Sequence, residues 1–434
     1  MSEILFGLFG LCSLLSIAWL FSNNKRLVDW RLVATGVLLQ IGFAFFVLLT
    51  PLGQSIFGTL AHGFVVLSGF TMEGSRMIFG DLVDQNKLGF IFAFQVLPTV
   101  IFFAALMSVL YHLGVMQWIV RIMALGITKI MRVSGAETTS VCASVFIGQT
   151  EAPLTVRPYI SKMTESELLT MMIGGMAHIA GGVMATYVQL LGGADQALQT
   201  EYAKHFLAAS IMAAPATLLI AKILIPETGE PMTRGTIKMN IEKTSTNIID
   251  AAAAGAADGL KLALNIAAML LAFVALISML NAVIAWGANI SGIASWINAG
   301  RSVPIAINLG SILGVILSPI AWLIGIEWKD AIIGGGLIGQ KIVLNEFVAY
   351  LELSKIPVGN AVGEISAHSR IVLTYALCGF ANFASIAIQI GGIGSLAPDR
   401  RHDLARFGMK AVLGGCLATF MTATIAGVLS GFGS

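Results

Sequence analysis

The sequence predicts an all-α polytopic membrane protein. About eight transmembrane helices and two re-entrant helical hairpins are expected, arranged as an inverted repeat with discontinuous helices. Three observations carry this reading. Of the 434 residues, 57% are hydrophobic and only 11% are charged, whereas a soluble chain carries about 25% charged residues. Eight stretches are apolar over the roughly 20 residues a spanning helix needs. Two further apolar regions fit neither one span nor two.

The eight stretches are 4–22, 32–50, 89–112, 168–192, 206–225, 262–288, 371–395 and 411–432. The first has no basic residue ahead of it and carries Lys25 and Arg26 behind it, so it reads as a retained span with an outside N-terminus rather than a cleaved leader. The first misfit region, 139–160, contains Gly148-Gln149-Thr150-Glu151-Ala152-Pro153 and closes on Arg157 and Pro158. The second, 305–351, contains Pro319, the charges between Glu327 and Asp330, three consecutive glycines from Gly334, and Asn345-Glu346.

Charge placement decides whether these regions cross. With both as hairpins, 17 of the 25 Lys and Arg residues fall on the cytoplasmic side; with 139–155 crossing, 12 of 25 do. The excess of cytoplasmic Lys and Arg in membrane proteins favours hairpins and places both termini outside. A hairpin followed by two spans then occurs twice, once from each side, which is the construction of secondary transporters. The spans behind the hairpins, 174–187 and 378–392, are rich in Gly and polar residues at mid-depth. They read as helices broken where they line a cavity. The four cysteines, Cys12, Cys142, Cys378 and Cys416, lie in apolar context without CxxC spacing and read as packing residues. A net charge of +2 points to no nucleic-acid partner.

Ionisable groups inside a membrane are costly and mark function by default. At the first hairpin Gln149, Thr150 and Glu151 offer an amide, a hydroxyl and a carboxylate between a Gly and a Pro. Consecutive residues diverge on a helix but converge at an irregular tip. Glu346 stands among apolar neighbours, with Lys341 five positions back, off the helical pairing distance of three or four. Asn382 and Ser385, three apart, share a face if helical and suit the vicinal hydroxyls of a sugar. His178 sits mid-span between Ala177 and Ile179 and is able to carry a proton. No arginine lies in this core, so the ligand is expected to be a neutral polyol or heterocycle.

At these residues the chain resembles the concentrative nucleoside transporter family, from about residue 20 to the end. The resemblance rests on GQTEAPLTVRPY at 148–159, HFLAASIMAAPATLLIAKILIPETGEP at 205–231, KIVLNEFVAY at 341–350, ANFASI at 381–386 and RFGMKAVLGGCLATFMTATIAG at 406–427. It implies a homotrimer, a scaffold domain and a transport domain holding two re-entrant hairpins. It also implies that Gln149, Thr150 and Glu151 contact the nucleobase, that Glu346, Asn382 and Ser385 hold the ribose, and that Val183 and Phe380 pack beside the nucleoside. The family's sodium site maps to Ser144, Ile147, His178 and Ile179. An imidazole is a poor ligand for a hard cation that prefers oxygen, which makes a proton through His178 the rival; the Ile147 and Ile179 backbone carbonyls do not depend on side-chain identity, so sodium is the favoured coupling ion.

The expected division is 1–112 as scaffold spans with an interfacial helix, 113–225 as the first hairpin-span-span repeat, 226–300 as a cytoplasmic loop and scaffold span, and 301–434 as the second repeat. The expected activity is import of neutral nucleosides such as uridine or adenosine across the inner membrane, without a further cofactor. The sequence leaves purine against pyrimidine preference open. A cation-coupled transporter of another small polar solute stays as the alternative. An intramembrane hydrolase is disfavoured: Ser385 and His178 exist, but no GxSxG or metal-ligand spacing accompanies them. A channel would show a continuous polar stripe rather than isolated mid-depth points.

Overall fold

The computed structural model describes residues 2–89, 91–235, 245–299, 306–361 and 363–431. Part of the expected cytoplasmic loop (236–244), the expected domain boundary (300–305) and the end of the last expected span (432) lie outside the described residues.

Three long helices open the chain: α1 (Ser2–Leu20), α2 (Trp30–Leu49) and α3 (Pro51–Phe79). Asp29 caps α2 through the amides of Arg31 and Leu32, and Thr50 caps α3 ahead of a first-turn proline, the preferred start of a helix. The buried residues of α3 recur every three or four positions, Gly53, Phe57, Ala61, Val65, Ser68, Thr71 and Ser75. One stripe packs and the rest faces outward. By length and apolarity α3 joins the helices able to cross a membrane, in a segment to which the sequence reading assigned no span.

Helix α4 (Leu97–His112) packs along α10 (Ile248–Ile290). The approach is close because a Cβ on Gly255 would lie 2.6 Å from the Ser108 side chain, and one on Gly259 would lie 2.7 Å from the Ile101 backbone. Two small residues four apart let apolar helices touch backbone to backbone. None of the most apolar 18-residue window of α10 is buried, so lipid or another chain must cover it.

Two equivalent series of helices follow. The first is α5 (Val115–Met131), α6 (Gly135–Ser144), a tip at 145–151 with a return through a 3-10 turn (Ala152–Val156), the pair α7 (Glu165–Ala177) and α8 (Gly181–Gly192), and α9 (Gln196–Leu224). The second is α11 (Leu309–Leu323), α12 (Ala331–Val343), a tip at 344–345, α13 (Glu346–Lys355), the pair α14 (Ala367–Ala376) and α15 (Phe383–Leu396), and α16 (Arg401–Ser430). The apolar stretch 371–395 is therefore two half-helices. The second hairpin is narrower than 305–351: α12 and α13 form it, and α11 packs outside against α12. Sequence could not separate α11, because its apolar run continues into the hairpin.

Helices α9 and α16 are the buried axis, in contact with each other and with α7. The foot of α6 is fixed by a capping box between Ser134 and Glu137 and by a buried ion pair of Glu137 with Lys222 at 2.8 Å, which Glu227 extends at 3.0 Å.

Candidate functional site

Both half-helix pairs break at the same place. Helix α7 ends at Ala177 and α8 begins at Gly181; α14 ends at Ala376 and α15 begins at Phe383. The breaks lie against each other at Gly379, which has φ +151°. A Cβ there would lie 2.8 Å from the Met176 carbonyl oxygen. The freed helix ends are satisfied across the break or by local caps. The Gly181 amide donates to the Phe146 carbonyl at 3.1 Å. Asn382 caps α15 by accepting from the Ser385 amide at 2.9 Å, and Asn345 caps α13 by accepting from the Val348 amide at 2.9 Å. Asn382 and Ser385 are thus brought together as cap and third residue of a helix start, rather than as two positions of a continuous helix face.

The polar side chains form one connected line. Gln149 Nε2 donates to Ser385 Oγ at 3.1 Å, and Gln389 Nε2 donates to Gln149 Oε1 at 3.2 Å and to the Met172 carbonyl at 2.9 Å. Asn382 Nδ2 donates to Glu346 Oε2 at 3.1 Å, and Tyr187 Oη donates to Glu346 Oε1 at 2.8 Å. Each tip is thereby tied to the broken helices. Glu346 is buried while Glu151 is exposed at the rim, where it accepts from Thr150 Oγ1 at 2.9 Å. The two acidic tips are not equivalent: one carboxylate is enclosed, the other wet.

Gln149, Thr150, Glu151, Val183, Glu346, Phe380, Asn382 and Ser385 all line one cavity of about 910 Å³. That is at the upper end of the usual range for small-molecule sites. Apolar side chains including Val100, Phe103, Met107 and Phe347 line it beside them. Among the expected ion ligands, Ile147 reaches this cavity, whereas Ser144, His178 and Ile179 are buried beside the first break. Ser144 Oγ donates to the Ser140 carbonyl at 3.0 Å. His178 Nδ1 lies 2.7 Å from the Gly174 carbonyl, which can only accept, so Nδ1 carries the proton. The backbone of Ser210 also faces the ring.

Two residues of the line were missed from sequence. Gln389 stands seven positions after Asn382, the spacing of one helical face, and could have been found. Tyr187 could not, because only the fold brings it to Glu346.

A polar line closed between two tips and two broken helices, inside a lipid-facing bundle, defines a secondary transporter rather than an enzyme. The sequence matches the profiles described as Na+ dependent nucleoside transporter N-terminus over residues 9–82, nucleoside recognition over 93–194, and Na+ dependent nucleoside transporter C-terminus over 205–427. The nucleoside permease NupC of Helicobacter pylori is 38% identical, with 98% of each chain covered. An uncharacterized transporter of Haemophilus influenzae is 43% identical over 100% of this chain and 99% of its own. The transporter CNTnw, solved in an inward-facing substrate-bound state, is 41% identical with a TM-score of 0.87, covering 99% of this chain and 98% of that one. A variant of CNTnw in an outward-facing state is 40% identical with a TM-score of 0.88 over 100% and 99%. The chain belongs to the concentrative nucleoside transporter family.

Proposed function

We propose that this protein imports nucleosides across the inner membrane by sodium symport with alternating access. The observation that carries the reading is the unbroken polar line from Gln389 through Gln149, Ser385 and Asn382 to Glu346 along a cavity with apolar walls. A nucleoside has a hydrogen-bonding base edge at one end and a polyol at the other. Gln149, Thr150 and Glu151 read the base; Glu346, Asn382 and Ser385 hold the ribose; Val183 and Phe380 flank the rings. The match to the Na+ dependent nucleoside transporter profiles and the similarity to the nucleoside permease NupC support this substrate class. The scaffold is 1–112 with the span of 226–300, the moving part comprises 113–225 and 301–434, three copies associate, and both termini lie outside.

The experiment is uptake of radiolabelled uridine and adenosine into vesicles holding the purified protein. Accumulation against a gradient is expected, with unlabelled nucleosides competing and free uracil competing at least tenfold less well. Uracil equal to uridine would show that the ribose half of the site is misread.

Sodium is assigned to the first break, where the Ile147 and Ile179 carbonyls and the Ser144 hydroxyl supply oxygen. His178 then stays neutral, its Nδ1–H held by Gly174. An imposed sodium gradient at fixed pH is expected to drive uridine accumulation in the wild type and in His178→Ser alike. A wild type that ignores sodium and follows the pH gradient, with sodium dependence gained in His178→Ser, would establish the proton reading instead.

A further inference from the structure

Four helix ends converge on the two breaks, and the two C-terminal ends, of α7 and α14, carry freed carbonyls and the negative pole of their helix. They are served differently. At the end of α14, Lys341 Nζ donates to the carbonyl of Ala376, the last helical residue, at 2.8 Å and to Thr419 Oγ1 at 3.1 Å. Lys341 has no exposed surface, and its ammonium lies 5.9 Å from the Phe420 ring centre. Among the described residues no carboxylate forms an ion pair with it. The buried Glu346 carboxylate acts on it from beyond ion-pair distance; an ammonium buried without a paired counter-ion is costly, so its place at a helix C-terminus needs an account.

The end of α7 has no such cation. The His178 ring there donates back to Gly174 and faces the backbone of Ser210 on α9. The helix order makes these places equivalent. Helix α6, the pair α7–α8 and α9 recur as α12, the pair α14–α15 and α16. Lys341 comes from α12 as Ser144 comes from α6, and Thr419 from α16 as Ser210 from α9. Ala376 closes α14 as Ala177 closes α7.

We propose that Lys341 is a tethered cation that occupies, in the second repeat, the place the coupling ion takes in the first, so that one ion rather than two is bound per transport cycle. Lys341 is a positioning residue: it holds the end of α14, and through that break Asn382 and Glu346, without touching the substrate. The inference rests on the cation-coupled reading above.

The test has two arms, and the first needs no nucleoside. Lys341→Ala in lipid nanodiscs is expected to unfold at a lower temperature than wild type. n-Butylammonium should restore most of the loss, while butanol, of the same shape without the charge, should not; wild type should respond to neither. In the second arm uridine binding is titrated with sodium in Lys341→Gln. The emptied place becomes available to sodium, so half-saturation moves to higher sodium and the Hill coefficient rises from about one toward two. Rescue by butanol as good as by butylammonium, no rescue by either, or a sodium curve of unchanged steepness overturns the proposal. A wild type that binds no uridine at any sodium concentration defeats the nucleoside reading, and the rescue arm still decides the role of Lys341.

Discussion

Replacing Glu346 by glutamine is expected to weaken uridine binding by at least tenfold, about 1.4 kcal/mol, while the protein still inserts and folds. The carboxylate accepts from Tyr187 Oη on one oxygen and from Asn382 Nδ2 on the other. Glutamine keeps one acceptor and turns the other into a donor, which sets an NH₂ against Tyr187 Oη or Asn382 Nδ2. A buried donor left without its acceptor costs roughly 1–3 kcal/mol, more where the lost partner was charged. The ribose hydroxyls assigned to this carboxylate lose the same acceptor. The loss should fall on nucleosides, and the thermal midpoint should drop as well, because Tyr187 or Asn382 loses its acceptor in the empty protein too. Uridine uptake in Glu346→Gln at the wild-type half-saturating concentration would remove Glu346 from the site.

Gly379→Ala is expected to abolish uptake and to lower the thermal midpoint. The cause is geometric. A Cβ at this position would stand 2.8 Å from the Met176 carbonyl oxygen and 3.1 Å from that of Ala177. Both are backbone atoms at the end of α7 and cannot turn aside as a side chain would. The φ of +151° adds strain on the order of 1–3 kcal/mol for a residue bearing a Cβ. Relief requires the two breaks to part, which moves Asn382 and Ser385 away from Gln149. The comparison is Gly391→Ala on α15, where a Cβ meets nothing within 4 Å and near wild-type behaviour is expected. Normal uptake by Gly379→Ala would show that the contact between the breaks is not needed.

Much of this site was legible in the sequence because a lipid environment makes polar residues informative. In a chain with 11% charged residues, a Gln-Thr-Glu run between Gly and Pro and a lone Glu346 stand out. All eight residues expected to face the substrate line the same cavity. The half-helices were legible for the same reason, since Gly and polar residues at mid-depth are tolerated only where backbone lines a cavity. Element limits were less so. Helix α11 was merged with the hairpin it packs on.

The residue order alone set the solvent, the two-fold order of hairpin and broken helix, and the residue types at the centre. These follow from composition and from local periodicity, which act over a few turns. Which partners they find depends on packing between distant segments. Tyr187 meets Glu346 from 159 positions away, Gln389 meets Gln149 across 240, and Lys341 meets Thr419 across 78. That packing also decided that Glu346 is enclosed while Glu151 stays at the rim, although each sits at a tip flanked by apolar residues. The physical reason is that a hydrogen bond inside the bundle depends on where two helix breaks come to rest against each other. That is fixed by packing along the α9–α16 axis and by the space left at Gly379, and no local pattern encodes either.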